Sequence, residues 1–529
     1  MTRAQNSRQC RGHSGRCLSL IAGSCAVVTT GCASVDPQPQ IDEAMELVQQ
    51  HTGHRPGWSA PWDELPPEWD GQALLKLDAA IGLALRNNRE LRADLESIGT
   101  ANADLVQAGL MRNPVLNFMM MFPDAGGRVM LRSSALPMQP LQDLWLIPAR
   151  KDVASAELRR AVMRMSDRAI ELAAGVKANY ARLQSLQQAI DLISDNLAVV
   201  EQSTRILLTR QATGQTTQVE ANVSHIRELR LRSDRLAAQS QFRTLQRELL
   251  EQMGVATASD GWRVEALDPA SASLDTPLDE ASLLRLGLEQ RLDVKAAEWG
   301  IDAAAARVTL MRREGWPDLA LGLTLERPPA ARTRSVGMPG RIGNRIAQGV
   351  ADRLSGTAGP MAPMAAPFRV EQPEIDLMLG PMIEVEIPIF DQNQAQVARA
   401  NHEFRRSVAE YEARAQIAAR MIRAALVRHR ESYDQLRLFR DSIVPEVQRN
   451  LELAQQSFVA GREDLTVYLL AQEDLIATRL RVLDFYRDYL VTRAELERAV
   501  GGRIGLISPT PAPETESGTV PAASERGGS

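Results

Sequence analysis

The chain has 529 residues, of which 44% are hydrophobic, 24% are charged and only 4% are aromatic. This composition excludes a wholly disordered chain and favours long helices rich in Leu, Ala, Arg and Glu over a dense aromatic core. The formal net charge is −5 and no basic stripe dominates the chain, so nucleic acid is not expected as a partner. No apolar run reaches the roughly 18 residues that a transmembrane helix needs, so any crossing of a membrane would have to be made by strands.

The first 31 residues have the parts of a secretory signal, because a basic stretch precedes an apolar one over 17–30. The basic stretch contains Arg3, Arg8, Arg11 and Arg16. The segment ends in Thr29-Thr30-Gly31-Cys32 and resembles a bacterial lipobox, with Thr29 where that pattern usually has Leu. We therefore expect 1–31 to be a lipoprotein signal peptide and Cys32 to carry the lipid, palmitate included. An ordinary cleaved signal with an incidental cysteine is the alternative.

The rest of the chain has two halves with one plan. The motif Leu85–Leu91 is followed by an Ala-rich helical stretch that ends at Pro114, and the motif Leu288–Val294 is followed by a similar stretch that ends at Pro317, an offset of 203 at both ends. In each half, alternating stretches follow and then a long helical region with one glycine break. Ordered self-similarity of this kind indicates duplication.

The alternating stretches predict four strands. Apolar residues occupy the odd positions over 319–325 and 383–387, whereas Glu384 and Glu386 occupy even ones. We expect one β-hairpin over 114–138 with its turn at 123–127, and a second over 318–388 that contains a long Gly- and Pro-rich loop at 327–373. Four strands cannot close a barrel alone, so closure would need other copies of the chain. Two half-buried hairpins in a soluble domain are the alternative.

The helical regions carry heptad patterns typical of coiled coils. In the first half, a long helix at 148–212 matches the summed length of helices at 80–112 and 215–253. In the second half, a long helix at 393–460, which Pro445 is expected to kink, matches helices at 280–314 and 464–500. An N-terminal strap at 32–78, a linker at 255–278 and a disordered tail at 503–529 complete the predicted organisation.

The motifs then support a resemblance. They are Ala84-Leu85 through Asn88 with Leu91, Gln107–Pro114, Ile387–Asp391, and the glycine-containing breaks Thr213-Gly214 and Ala460-Gly461. Duplicated, in this order and behind a lipobox-like signal, they resemble the TolC-like outer-membrane factor (outer membrane efflux protein) family, lipoprotein subgroup, over roughly residues 70–502.

The resemblance implies a mainly α fold with a membrane β-barrel portion. Three protomers would each give four strands to a 12-stranded barrel, and their helices would form a long coiled-coil α-helical barrel. The repeats would span 79–254 and 279–502, with hairpin tips at positions 214 and 461. The tips would dock a periplasmic adaptor through Thr213, Gly214, Gln215, Ala460, Gly461 and Arg462.

A periplasmic gate is also implied, but the sequence departs from the family there. Well-known members place carboxylates six and nine positions after the second tip glycine, where this chain has Val467 and Leu470. The acids are Glu463 and Asp464 instead, and acids at a helix N-terminus commonly offset the helix dipole. The candidate gate residues are Glu220, Phe458, Glu463, Asp464, Val467 and Leu470. Glu384 and Glu386 would face the lumen of the barrel.

The implied function is the outer membrane channel of a tripartite efflux pump. The expected partners are two further copies of the chain, a periplasmic adaptor, an inner-membrane pump of RND type, and outer-membrane lipid. The expected location is the cell outer membrane, with a lipid anchor and the helical barrel in the periplasm. A type I secretion exit duct and a lipid-anchored periplasmic scaffold or tether are alternatives. No catalytic constellation, metal site or cofactor motif is found in the sequence, so an enzyme is not expected.

Overall fold

The structure is a computed structural model. It describes residues 34–58, 69, 74–115, 118–121, 130–255, 261–267, 278–327, 350, 352–353, 355–356, 378–463 and 465–504. The predicted signal peptide, Cys32, the turn at 123–127, most of the loop at 327–373, Asp464 and the tail from 505 onward lie outside the described residues. The chain divides into two compact units. Unit 1 is 1–106 with 154–303 and 405–529, and unit 2 is 107–153 with 304–404.

Over the described residues the fold is mainly α-helical with four strands, as the sequence predicts. The helices are α1 (Gln38–Thr52), α2 (Leu77–Asn87), α3 (Arg89–Ala108), α4 (Asp143–Ala212), α5 (Gln218–Gln252), α6 (Glu280–Gln290), α7 (Leu292–Glu314), α8 (Gln394–Leu438), a π-helix (Phe439–Ile443), α9 (Val444–Val459) and α10 (Leu465–Val500). None of the helices that are described combines the length and hydrophobicity needed to cross a bilayer.

The strands of unit 2 form one antiparallel sheet in the order β1-β2-β3-β4. They are β1 (Phe118–Met121), β2 (Met130–Pro140), β3 (Asp318–Arg327) and β4 (Met378–Glu386). The two predicted hairpins are therefore joined along β2 and β3, where the register shifts on either side of Leu136. Because strand side chains alternate between faces, the register that pairs Leu321 with Ile383 puts the apolar odd positions of β3 and β4 on one face.

Two helices expected to be continuous are broken, which corrects the prediction for 80–112 and 280–314. The first break lies at Asn88 (φ −60°, ψ 123°) between α2 and α3, and the second at Arg291 (φ −60°, ψ 122°) between α6 and α7. The two residues are 203 positions apart, which is the offset of the sequence repeat. The break is thus a feature of the repeated unit, and it was missed because neither residue is a helix breaker by itself.

Each break packs against the end of the last helix in its own repeat. Gly254, after α5, has φ +66°, and a Cβ built there would lie 2.2 Å from the carbonyl oxygen of Asn87. Gly501, after α10, has φ +92°, and a Cβ there would lie 3.0 Å from the Cα of Arg291. Only glycine permits both the left-handed backbone and so close an approach. The helix breaks are therefore tertiary contacts between backbone segments.

The core of unit 1 holds the linker between the repeats against α4. Trp69 and Trp262 pack edge to face with their ring centroids 5.8 Å apart. The hydroxyl of Tyr180 donates to the carbonyl of Leu75 at 2.8 Å. Three glutamine side chains of α4 donate to linker carbonyls; they are Gln184, Gln187 and Gln188. Because aromatic burial and polar bonds act together here, the linker has a fixed path over 261–267.

The second long helix is interrupted just before Pro445, where the sequence predicts a kink. The Val444 N–H bonds to the carbonyl of Phe439, five residues back, so the chain makes one π turn over Phe439–Ile443. Pro445 has no N–H and its ring clashes with the carbonyl four residues before it in a regular α-helix. The wider π turn relieves that clash, which is why the interruption occurs at this point.

The corner between β2 and α4 in unit 2 is fixed by a buried carboxylate. Asp143 is 0% exposed and accepts a bond from the Arg112 backbone N–H at 2.7 Å. It also accepts bonds from the Arg112 Nε at 3.1 Å and the Arg150 Nη1 at 3.2 Å. Since α4 begins at Asp143, five residues before the predicted start, Pro148 lies inside the helix. The contacts of Asp143 with Arg112 and Arg150 form a clamp that ties the segment before β1 to the segment after β2.

Candidate functional site

The first hairpin tip is a Schellman turn followed by a capping box. Gly214 has φ +73°, and the next residue, Gln215, donates its N–H to the Arg210 carbonyl at 2.8 Å. The Thr217 hydroxyl then accepts the Glu220 N–H at 3.3 Å, while the Glu220 carboxylate accepts the Thr217 N–H at 3.4 Å and the Thr216 hydroxyl. The turn therefore reverses the chain with its backbone groups satisfied. The carboxylate of Glu220, a predicted gate residue, stabilises the start of α5.

Replacing Thr217 by alanine should loosen this tip and little else. The change removes the hydroxyl that accepts the Glu220 N–H, and loss of such an N-cap destabilises a helix start by about 1 kcal/mol. Hydrogen exchange of the amides at 217–222 should accelerate about fivefold, while exchange at 240–250, near the other end of α5, stays unchanged. Thr244→Ala, at an exposed site on the same helix, is the control. Equal acceleration in both variants would contradict the role of the cap.

The second tip has the same turn with a different helix start. Gly461 has φ +65°, and Arg462 donates its N–H to the Ser457 carbonyl at 2.9 Å. Glu463 is exposed beyond it, and the predicted gate residue Asp464 lies outside the described residues. The structure thus brings Thr213, Gly214 and Gln215 into one turn, and Ala460, Gly461 and Arg462 into another of the same kind.

The apolar gate candidates lie together beside the second tip. The ring of Phe458 stacks on Tyr468, with centroids 5.9 Å apart and planes 16° apart. Val467 and Leu470 are exposed on α10, and Val459 at the end of α9 is 78% exposed. Tyr468 was not singled out in the sequence, although its position seven residues after the tip glycine places it one turn inside α10. These side chains form an exposed apolar surface, which is suited to contact another protein.

Polar contacts between the two hairpins lie farther from the tips. Arg227 of α5 pairs with Glu473 of α10, partners that are 246 positions apart. Within the first hairpin, the hydroxyls of Thr204 and Ser224 bond at 2.7 Å in a buried position. Beside the Arg227–Glu473 pair is a cavity of about 30 Å³ lined in part by Gln472, whose Oε1 is buried and has no hydrogen-bond partner in the described part of the chain. In a heptad pattern these residues appear only as polar residues that interrupt the apolar stripe. Their partners on other helices could therefore not be predicted from the sequence.

The sheet of unit 2 separates apolar from acidic side chains. Glu384 lies opposite Ala320, and Glu386 lies opposite Asp318, all on one face. On the other face Leu321, Ile383 and Val385 are 46%, 65% and 50% exposed. Both predicted lumen residues are therefore on the face opposite to the apolar stripe. An apolar stripe this exposed requires a covering of lipid or protein.

Histidines and acids in the described ranges do not converge on a metal site. No group of three or more His, Cys, Asp or Glu side chains suited to hold a metal ion occurs there. The His51 Nδ1 lies 2.6 Å from the Gly501 carbonyl oxygen, and the His54 Nε2 lies 3.1 Å from a carboxylate oxygen of Asp78. These contacts join the N-terminal strap to the helical part of the chain, so both histidines have a structural role.

Comparison with known protein families gives a match in the second half of the chain. Residues 283–502 match the family described as outer membrane efflux protein. The probable efflux pump outer membrane protein SepC of Pseudomonas putida (strain F1) is 27% identical over 369 residues. That alignment covers 68% of this chain and 65% of SepC, so it spans slightly less than two thirds of the relative.

Solved structures share the fold at low sequence identity. A membrane protein from Pseudomonas aeruginosa superimposes with a TM-score of 0.62 at 20% identity, covering 84% of this chain and 98% of that one. The open state of the MtrE outer membrane channel of Neisseria gonorrhoeae gives a TM-score of 0.60 at 16% identity, covering 80% and 89%. The arrangement of long helices and a four-stranded sheet is therefore one found in known outer membrane channels.

Proposed function

We propose that this chain is a member of the outer membrane efflux protein family, whose model matches residues 283–502, and that it is the outer membrane channel of a tripartite efflux pump. Its location is the cell outer membrane, as for its family and for SepC. In this role the chain is a passive duct. An inner-membrane pump, which this chain does not contain, supplies the energy.

The observation that carries the proposal is the two-faced sheet. Leu321, Ile383 and Val385 are exposed on one face, while Glu384 and Glu386 lie on the other. Outer membrane barrels alternate an apolar residue toward lipid with a polar residue toward the lumen. Four strands are too few for closure, so three copies with 12 strands form the barrel. The carboxylates of each copy then line its interior.

The helical hairpins give the channel its periplasmic end. The tips around Gly214 and Gly461 are the docking points for a periplasmic adaptor, because each presents a rigid turn beside exposed apolar side chains. The gate is formed by the residues nearest the tips. They are Glu220, Phe458, Glu463, Asp464, Val467 and Leu470. Cys32 anchors the mature chain to the inner leaflet, and the pump is of RND type.

Fractionation and gel electrophoresis test the proposal. Outer membranes are run in SDS with and without heating, for the wild type and for Cys32→Ala. An unheated band near three times the mass of the mature monomer is expected, because a closed 12-stranded barrel resists SDS. The variant should keep the trimer, because the barrel and not the lipid holds the three copies together. Cys25→Ala, inside the predicted signal peptide, is the matched control and should behave as wild type.

Two outcomes would contradict the proposal that the chain is a channel. A monomer in both lanes, released into the periplasm by Cys32→Ala, would replace the duct with a lipid-anchored scaffold. A trimer that gives no conductance in planar bilayers, even with the tip residues 213–215 and 460–462 replaced by Gly and Ser, would argue against a continuous lumen.

A further inference from the structure

The sheet of unit 2 has two open edges. Over the residues that the structure describes, β1 pairs only with β2 and β4 pairs only with β3. Because successive strands alternate in direction, β4 runs antiparallel to β1. The backbone N–H and C=O groups along an open edge are a template for pairing with another strand. The β4 edge of one copy of the chain therefore has the direction needed to pair with the β1 edge of another copy.

The two hairpins of the sheet are copies of each other with the same internal register. Phe118 pairs with Ser133 in the first hairpin, and Leu321 pairs with Ile383 in the second. Leu321 lies 203 positions after Phe118, which is the offset of the sequence repeat. Ser133 of β2 therefore corresponds to Ile383 of β4.

The junction between the hairpins is a template for a junction between copies. On its other side, Ser133 of β2 lies opposite Leu325 of β3. In the repeat, β2 corresponds to β4 and β3 corresponds to β1, so the same junction recurs where β4 of one copy meets β1 of the next. The counterpart of Ser133 lies two positions before Val385, and the counterpart of Leu325 lies two positions after Met120. Because the strands are antiparallel, Val385 of one copy falls opposite Met120 of the next.

We propose that the copies of this chain join through β4 and β1 in this one register, with Glu384–Ile387 of one copy opposite Phe118–Met121 of the next. The inference rests on the proposed trimeric channel and specifies the surface through which its copies join. All four residues of β1 then have a partner. Met119, which is 48% exposed in the single chain, lies opposite Glu386.

The two faces of the sheet provide an independent check of this register. Residues directly opposite each other lie on the same face, and a slip of one position exchanges the faces. Met120 lies opposite Leu131, and Leu131 lies opposite Arg327 of β3. The odd positions of β3 and β4 share the apolar face, which includes Val385. The proposed register therefore joins like faces, whereas a slip of one residue in either direction would not.

A second copy suits these edges better than an unrelated protein does. Ile383 and Ile387, on either side of Val385 along the β4 edge, are 65% and 68% exposed. An open edge with exposed apolar side chains is an aggregation site unless it is covered. Pairing between copies covers the β4 edge and the β1 edge together, and three such junctions close the ring without leaving an edge.

Disulfide cross-linking in outer membranes tests the register. Met120→Cys is combined in turn with Ile383→Cys, Val385→Cys and Ile387→Cys, and the membranes are treated with a mild oxidant. A shift of two residues along a strand adds roughly 6.6 Å, and Cα atoms more than about 7 Å apart are not bridged without backbone movement. A reducible link between copies should form about tenfold more with Val385→Cys than with either neighbour. Each single variant controls for links through Cys32.

A charge exchange tests the same register without added cysteines, so it stays decisive if a cysteine pair prevents assembly. Met119→Glu puts a second carboxylate opposite Glu386 and should lower the temperature at which the trimer band is lost in SDS, because like charges directly opposite each other destabilise a sheet. Glu386→Lys should raise that temperature more in the Met119→Glu background than in the wild type. A difference between the two backgrounds measures the coupling of the two positions.

The outcomes separate this proposal from the channel function. A trimer that links most strongly through Ile383→Cys or Ile387→Cys, or through none of the three pairs, overturns the register and leaves the channel standing. Equal effects of Glu386→Lys in the two backgrounds also overturn the register. A wild-type chain that gives no trimer in the unheated lane overturns the register and the channel together.

Discussion

Gly254→Ala is expected to lower the free energy of unfolding by about 4 kcal/mol. The residue has φ +66°, and the added Cβ would lie 2.2 Å from the Asn87 carbonyl oxygen and 2.6 Å from its carbon. Both are backbone atoms, so no side chain can swing away. Nor can the backbone retreat easily, because the Asn88 amide is bonded to the carbonyl of Gln252. The clash would open the contact that stabilises the first break.

The matched control for this change is Gly214→Ala at the first tip. Gly214 also has a left-handed backbone, with φ +73°, but a Cβ there would meet no heavy atom within 4 Å. Only the backbone strain remains, which costs about 1 kcal/mol. Urea unfolding followed by circular dichroism measures both variants. Equal losses would mean that the close approach of Gly254 to Asn87 does not matter for stability.

Asp143→Ala is expected to cost about 3 kcal/mol, the second largest effect. The carboxylate is fully buried and joins the Arg112 backbone N–H, the Arg112 guanidinium and the Arg150 guanidinium. Its removal leaves the Arg112 backbone N–H without its acceptor and takes the shared carboxylate away from two guanidinium groups that are themselves 43% and 28% exposed. The segment before β1 should then detach from the start of α4, and the strands that follow each segment should lose their alignment.

Two measurements separate this local effect from general weakening. Urea unfolding gives the loss of stability, and hydrogen exchange of residues 109–115 should rise well above that of residues 160–180 on the same variant. Asp104→Ala, at an exposed site on α3, should change stability by less than about 0.5 kcal/mol. If the two alanine variants were equally stable, the clamp would be only a geometric coincidence.

The strands and tips could be predicted because they depend on local pattern. Alternation over 319–325 predicts a strand and its apolar face whatever the rest of the chain does. Gly214 and Gly461 mark reversals, since helices commonly end in a left-handed residue and that residue is usually glycine. Asp143 was not predicted as the start of α4, because Pro148 resembles a helix start and the clamp with Arg112 spans 31 positions.

The helix breaks could not be predicted because, like the contact of Asp143 with Arg112, they depend on residues that are distant in the sequence. Asparagine and arginine both occur within helices, so neither residue type predicts a break. The break at Asn88 depends on Gly254, 166 positions later, and the break at Arg291 depends on Gly501, 210 positions later. The pairing of Arg227 with Glu473 is equally remote. Among the proposed gate residues, local pattern predicts which side chains lie near the tips, but it does not reveal that Glu220 bonds to Thr217 or that Phe458 stacks on Tyr468.

The π turn at Phe439–Ile443 makes the two tip hairpins inequivalent. A π turn accommodates one added residue, and one residue corresponds to about 100° of rotation around a helix. The long helix α4 runs for 70 residues without such a turn, whereas α9 follows one directly. Side chains between the π turn and Gly461 are therefore rotated relative to those of α8, whereas the side chains before Gly214 keep the phase of α4. A protein that grips both tips of one chain must carry two distinct binding surfaces, even though the tips themselves are copies of one turn.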